Sequence, residues 1–323
     1  MSEKKIIAFV SGSRSDYGLL EPLIEVCQKD FKVLLFVTGS HLSHQLGRTV
    51  NDIKVSITAC VDVLLDSDIP TAVSLSQSIS LSQFATIFKH TDIDLLVVLG
   101  DRFEIIPPVL AAYNTGIPVV HIEGDDITLG SLDEGYRGCI RSLASYHFTA
   151  EEYGSLGCVY PDVAADSKYE VIIVYHPYVG WSEEEYRNIL EACNGYNCLV
   201  IAGSADPGGR QIQEMSLGSF DSRASMPRAE YLSYLKGAKF IIGNSSSGII
   251  EAPCFHVPSI DVGNRQRGRK CADSVLHCEG TLNEITNTIE YLETNSDFSF
   301  YNPYAQPDTV KNMIEDLKLI LSG

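Results

Sequence analysis

The chain has 323 residues, 45% of them hydrophobic and 20% charged, which is enough for two domains with substantial cores. A formal net charge of -18 argues against nucleic acid and anionic membranes as partners. No apolar run is long enough to cross a bilayer, and Met1-Ser2-Glu3-Lys4-Lys5 leads into a strand rather than a signal-peptide core, so the expected location is cytoplasmic.

Taken in chain order, short β-branched runs alternate with amphipathic stretches. Ile6–Val10, Val33–Val37, Leu95–Leu99 and Val119–Ile122 are nearly continuous apolar runs, as strands buried on both faces require. Helical patterns fall between them at Leu19–Cys27 and Ile105–Tyr113, punctuated by Gly39 and Gly116. A polar stretch over 151–168 carries little periodicity. The pattern then restarts: strands are predicted at Val171–Tyr175, Cys198–Ile201, Phe240–Ile242 and Ser259–Val262, with helices at Ser182–Ala192, Arg228–Leu235 and Leu282–Leu292. A last helix, Thr309–Leu321, follows a loop holding Pro303 and Pro307. Such βα repetition predicts α/β architecture with two doubly wound parallel sheets. The expected division is 1–158, 159–304 and a terminal helix in 305–323. The nine cysteines are scattered, with no CxxC and no paired Cys/His spacing, so neither a structural zinc site nor a disulfide framework is expected.

Ligands of such sheets bind outside the carboxyl ends of the strands, so the residues just after each strand are the informative ones. Gly12-Ser13-Arg14-Ser15-Asp16-Tyr17-Gly18 follows the first strand; it can present backbone N–H groups and Arg14 to a ligand, or simply cap a helix. Gly100-Asp101-Arg102-Phe103-Glu104 and Glu123-Gly124-Asp125-Asp126 end two further strands, and Asp133 opens the next helix, where the dipole also favours a carboxylate. Asp101, Glu123 and Asp133 are expected to converge, and crowding of carboxylates suits general acid/base work. In the second half, His176-Pro177 ends a strand, and Asp206-Pro207-Gly208-Gly209-Arg210 is either a ligand-facing loop or a turn. Gly243-Asn244-Ser245-Ser246-Ser247-Gly248, with Glu251 one turn on, offers hydroxyls and helix N-terminal amides suited to a diphosphate. The run Arg265, Arg267, Arg269 and Lys270 concentrates positive charge in an acidic chain.

In this order, these motifs resemble the UDP-N-acetylglucosamine 2-epimerase family, and within it the hydrolysing branch of sialic- and legionaminic-acid biosynthesis, including its 2,4-diacetamido relatives. The resemblance implies a glycosyltransferase-B fold: two Rossmann-like domains, a central cleft, and a C-terminal helix returning to the first domain. It assigns catalysis to Asp101, Glu123 and Asp133, sugar or phosphate contacts to Arg14, Arg102 and His176, and nucleotide contacts to Gly208, Ser245, Ser246, Glu251 and Arg265. Spacing adds Tyr231 near the uracil. The implied reaction is elimination of UDP followed by hydration of the glycal, needing no metal or redox cofactor. Family habit points to a homodimer with a UDP-sugar as its small-molecule partner.

The sequence departs from the family pattern at Asp125, where a second Gly is usual, at Gly138 and Ser142, where His and Lys are usual, and in a shortened stretch between Glu152 and His176. Three readings follow: a hydrolysing epimerase, a non-hydrolysing epimerase, and a UDP-sugar-binding protein with little catalysis.

Overall fold

The computed structural model describes residues 4–65, 69–178, 180–202, 206–218 and 220–322. The chain forms two compact units: one takes residues up to Asp126, Asp133–Val159 and the chain from Gln306 on; the other takes Ile127–Leu132 and Tyr160–Ala305.

The first unit holds strands β1 (Ile6–Ser11), β2 (Lys32–Thr38), β3 (Ala59–Val61), β4 (Leu95–Leu99), β5 (Val119–Ile122) and β6 (Tyr146–Phe148). Its helices are α1 (Arg14–Asp30), α2 (Pro70–Lys89), α3 (Ile106–Thr115), α4 (Asp133–Leu143) and α5 (Ala150–Tyr153), joined by the terminal helix of the chain. The second unit has β7 (Val171–Val174), β8 (Cys198–Ile201), β9 (Asp221–Arg223), β10 (Phe240–Gly243), β11 (Ser259–Val262) and β12 (Val275–Cys278). Its helices are α6 (Glu183–Ala192), α7 (Gly209–Met215), α8 (Arg228–Gly237), α9 (Ser246–Ile250) and α10 (Leu282–Thr294); α11 (Thr309–Ser322) completes the first unit.

Both sheets are parallel throughout their named ladders and share one winding. The first runs β3-β2-β1-β4-β5-β6 and the second β12-β11-β10-β7-β8-β9, which is the same order read from the other edge. The order reverses between β1 and β4 in one sheet and between β7 and β10 in the other. Those two points are where a doubly wound sheet opens a crevice for a ligand.

The strands explain their own burial. Along β1, Ile7 and Phe9 enter one core with α1 and α11, while Ala8 and Val10 enter the other with α2 and α3. Along β7, Val171 and Ile173 face α6 and α10, and Ile172 and Val174 face α8. Residues alternating between two apolar layers produce the unbroken apolar runs of the sequence.

Helix α2 is absent from the periodicity reading although it spans 20 residues. Its inward stripe is Ala72, Ser76, Ser80, Phe84 and Phe88, at strict four-residue spacing. Two serines stand where apolar residues would reveal the helix. The edge strands β3, β6 and β9 are three residues long and half exposed, so they too leave little pattern. Among the described residues, no helix is long and apolar enough to cross a membrane.

Candidate active site

The first unit gathers its polar residues at the carboxyl ends of β1, β4 and β5. After β1, the Ser13 hydroxyl caps α1 by accepting from the Asp16 N–H at 3.2 Å, and Asp16 accepts in turn from the Gly12 N–H at 3.2 Å. Burial raises the Asp16 carboxyl above its usual range, and the Arg102 guanidinium opposes that rise. Arg102 also pairs with the buried Glu104 at 3.3 Å. Glu104 crowds the neighbouring turn so closely that a Cβ on Gly39 would sit 2.9 Å from Glu104 Cγ and 2.6 Å from the Gly12 carbonyl. Gly39 has φ +60, so only glycine fits the turn. Behind it the buried His41 lies between Ser11 Oγ and Thr49 Oγ1, each at 2.9 Å. Desolvation pushes this imidazole down to about 4, so it is neutral at pH 7.

Asp101 follows β4, and its carboxylate is engaged by Arg137 of α4. Arg137 is 1% exposed, donates to Glu134 at 2.6 Å and donates to the Asp126 carbonyl at 2.8 Å. One buried guanidinium thus ties the end of β4 to the start of α4, with two carboxylates balancing its charge. A second tie comes from His121 on β5. Its Nε2 lies 2.6 Å from the carbonyl of Gly100, the αL turn residue that carries Asp101 (φ +75). Burial pushes His121 down to about 4, so the ring is neutral and its Nε2–H can donate to that carbonyl. A Cβ on Gly124 would fall 2.4 Å from His121 Nδ1, so Gly124 exists to seat this ring.

Glu123 ends β5 beside Asp101, since Leu99 pairs with Ile122 and the Gly100 N–H donates to the Ile122 carbonyl at 3.0 Å. Glu123 takes φ +58, a costly conformation for a residue with a side chain. Its Oε1 accepts from the Ser155 hydroxyl at 2.9 Å and the Leu156 N–H at 2.7 Å. The two strand ends are adjacent, as the sequence predicts, yet Asp101 and Glu123 are held by different partners. Asp133 is the first residue of α4, one position before Glu134. Asp125 acts locally, its Oδ1 accepting from the Ala150 N–H at 3.0 Å at the start of α5. Gly138 has open space where a Cβ would stand.

In the second unit, His176 follows β7 and forms a reciprocal pair with Asn244 at the end of β10. The His176 N–H donates to Asn244 Oδ1 at 2.7 Å, and Asn244 Nδ2 donates to the His176 carbonyl at 2.8 Å. This pair bridges the point where the strand order reverses. The Asn244 carbonyl accepts from Arg265 at 3.1 Å and from Gln266 at 2.7 Å, so the cationic loop is folded back onto the serine turn. Gly243 has φ +139, and a Cβ there would lie 2.0 Å from the Val174 carbonyl. Ser245 caps the short helix α9 by accepting from the Ser247 N–H at 3.3 Å, and Ser246 is its first residue. Tyr231 meets the Ser247 hydroxyl at 2.5 Å. Glu251 pairs with Arg228 at 3.0 Å, both side chains largely buried. Gly208 caps α7 in the left-handed region, 2.9 Å from Trp181 by its would-be Cβ.

The structure therefore brings Asp101, Arg102, Glu123 and the start of α4 to one sheet edge, together with Arg14 as the first residue of α1. His176, Ser245, Ser246 and Arg265 share the corresponding edge of the second sheet, while Gly208 and Glu251 sit on the flanking helices. Sequence reasoning gave no role to Arg137, His121, Asp16 or Asn244. The spacing of Arg137, three residues after Glu134 and four after Asp133, was a usable signal for one helical face. Among the described residues, no group of three or more His, Cys, Asp or Glu side chains could hold a metal ion.

A protein-family model described as UDP-N-acetylglucosamine 2-epimerase matches residues 25–155 and 160–318. The chain is 29% identical to the Campylobacter jejuni GDP/UDP-N,N'-diacetylbacillosamine 2-epimerase (hydrolyzing), across 91% of this chain and 88% of that protein. It is 28% identical to the Neisseria meningitidis UDP-N-acetylglucosamine 2-epimerase, across 88% of this chain and 87% of that protein. Among solved structures, the S. aureus MnaA–UDP co-structure superposes with a TM-score of 0.78 at 17% identity, covering 99% of this chain and 97% of that one. A calicheamicin glycosyltransferase matches with a TM-score of 0.51 at 13% identity, covering 99% and 95%, which places the fold with the glycosyltransferase-B type. With both halves of the chain matched, it belongs to the UDP-N-acetylglucosamine 2-epimerase family.

Proposed function

We propose that the protein is a hydrolysing 2-epimerase, converting UDP-N-acetylglucosamine or a 2,4-diacetamido relative into UDP and the free 2-epimerised sugar. The observation that carries this reading is the anchoring of Asp101 by the buried Arg137 beside Glu123, at the strand ends where the order of the first sheet reverses. Paired carboxylates on rigid supports suit proton removal and return.

The C2 proton of the sugar is not acidic, so loss of UDP must run ahead of its removal. The C1–O bond breaks, its electron pair leaves with the diphosphate, and C1 gains oxocarbenium character. One carboxylate among Asp101, Glu123 and Asp133 takes the C2 proton, and a C1–C2 double bond forms. Water then adds its oxygen to C1, and a proton returns to C2 from the opposite face. Arg14, Arg102 and His176 contact the sugar or phosphates in this reading. Ser245, Ser246 and Arg265 stabilise the departing diphosphate, Glu251 takes the ribose, Gly208 lets the chain approach the nucleotide, and Tyr231 stands near the base.

The hydrolysing outcome is supported by the motif order and by the Campylobacter relative, whose name carries it. The Neisseria relative is named without it, which supports a non-hydrolysing reading. A reading as a binding protein loses ground because Asp125 serves as a local acceptor for the Ala150 N–H. The test is incubation with UDP-N-acetylglucosamine in D₂O, followed by proton NMR. Free N-acetylmannosamine bearing deuterium at C2, with UDP released, supports hydrolysis. A deuterated UDP-sugar pool without free sugar selects the non-hydrolysing reaction. An intact substrate that binds without turnover, for both sugars, overturns the enzymatic reading.

A further inference from the structure

The turn that holds Glu123 is itself built on α11. The Ser155 hydroxyl accepts from the Gly157 N–H at 3.0 Å and turns its own proton toward Glu123 Oε1, where the Leu156 N–H also arrives. Ser155 and Leu156 are buried, and they follow α5, a helix of only four residues. A single helical turn cannot fix its own place, so these two donors stand where the supports of α5 and Gly154 put them. Three contacts supply that support. The Tyr153 ring stacks on Phe148 with centroids 4.5 Å apart, and the Phe148 carbonyl accepts from the Glu123 N–H at 2.9 Å. The Tyr153 hydroxyl donates to Asp316 Oδ2 of α11 at 2.6 Å. Gly154, at φ +81, lies so close to the chain entering α11 that a Cβ there would be 2.7 Å from Gln306 Cβ and 2.9 Å from Thr309 Oγ1. Tyr153 and Leu156 also share one core with Met313, Ile314 and Leu317 of that helix.

We propose that Tyr153 and Asp316 are positioning residues of the reaction, a latch that runs from α11 to the Ser155 turn and holds the Glu123 carboxylate in place for proton transfer. The inference rests on the reading of Glu123 as one of the proton-transferring carboxylates. Glu123 sits on a left-handed backbone, a conformation that persists only where its surroundings over-determine it. Two donors on one oxygen fix the rotation of the carboxylate and favour its charged form. If the turn shifts, both effects relax: a displacement of about 1 Å can cost about a hundredfold in rate, and the carboxyl titrates at higher pH. Burial, and then the Asp316 carboxylate, raise the Tyr153 hydroxyl well above its usual value, so it keeps its proton and remains a donor.

The experiment follows turnover of UDP-N-acetylglucosamine, or of the 2,4-diacetamido sugar, across pH in the full chain and in Tyr153→Phe, Asp316→Ala, Asp316→Asn and Glu123→Gln. Tyr153→Phe removes only the hydroxyl and keeps the stack on Phe148, and melting temperatures report the folded fraction. The expected result is that Tyr153→Phe and Asp316→Ala lower kcat by about tenfold or more while KM stays within about twofold. The limb of the pH profile that Glu123→Gln removes should move to higher pH in both, because the carboxylate has lost its firm donors. Asp316→Asn keeps an acceptor for the phenol, so most of the rate should return. Loss of turnover in Glu123→Gln, with kcat and the pH limb of Tyr153→Phe and Asp316→Ala at the parent's values, overturns the latch alone. A fall in kcat that only follows the folded fraction, with the limb unmoved, marks a structural contact and overturns it as well. Turnover of Glu123→Gln at the parent rate removes the reading of Glu123, and the latch falls with it.

Discussion

Arg137 reaches back 36 residues from α4 to the carboxylate of Asp101, and it does so with a guanidinium that is 1% exposed. A buried cation tolerates this position only because Asp101, Glu134 and the Asp126 carbonyl together surround it. The relationship joins stability to the proposed chemistry, and the two can be separated.

Replacing Arg137 with Met leaves two carboxylates facing an apolar chain. Removing one member of a buried pair typically costs about 3–5 kcal/mol, so a large fall in the urea midpoint is expected, with loss of turnover. Asp101→Asn behaves differently. Arg137 keeps Glu134 and the Asp126 carbonyl, so the midpoint should move less, while turnover falls by about a hundredfold or more. Equal stability losses in the two variants would mean that Asp101 is only a counter-ion.

The seat of His121 gives a second separable pair. A methyl group on Gly124 would overlap the imidazole, and overpacking of this kind costs about 1–3 kcal/mol. His121→Ala opens the space that Gly124→Ala needs. The double variant should therefore be more stable than the sum of the singles by about 1 kcal/mol or more. Additive losses in urea denaturation would show that Gly124 is required for its backbone and not for the ring.

These cases mark what a single sequence discloses. The strands of β4 and β5 were legible because burial on both faces leaves an unbroken apolar run, and strand ends in a doubly wound sheet announce Asp101 and Glu123. Helix α2 was hidden by Ser76 and Ser80 in its buried stripe. Arg137 was hidden because a charged residue on an amphipathic helix normally faces water, and burial by long-range carboxylates has no local pattern. Glu123 was legible as a carboxylate at a strand end, but its engagement by Ser155 and Leu156 depends on where α5 brings the chain back.

The two buried histidines make the fold sensitive to acid. His41 and His121 are both pushed down to about 4 by burial, against an ordinary value of 6.5. Between pH 6.5 and 4 the unfolded chain binds protons that the native rings refuse, so stability falls as pH falls through that window. Each ring contributes a slope approaching about 1.4 kcal/mol per pH unit. His41→Asn removes one of the two, so its urea midpoint should fall less steeply between pH 7 and pH 5 than that of the parent chain. Parallel pH profiles would mean that the ring takes up its proton in the fold as readily as in the unfolded chain.

Arg265 offers the sharpest test of the nucleotide side. It donates to the Asn244 carbonyl at 3.1 Å, beside a serine turn whose capping hydroxyl, Ser245, already accepts from the Ser247 N–H. In the proposed reading its guanidinium is the cationic complement to a diphosphate, in a protein with a net charge of -18. A charge-assisted hydrogen bond is worth about 1.5–3 kcal/mol, so Arg265→Ala should weaken UDP binding by roughly 10- to 150-fold in calorimetry. Arg265→Lys keeps the charge and loses the planar fork, so an intermediate loss is expected. Gln266 still donates to the Asn244 carbonyl at 2.7 Å, so the turn itself should survive, and an unchanged melting temperature in the absence of UDP would confirm that. If UDP binds both variants as tightly as the parent, the cationic run is a solvated loop, and the diphosphate is held by the serine turn and its amides alone.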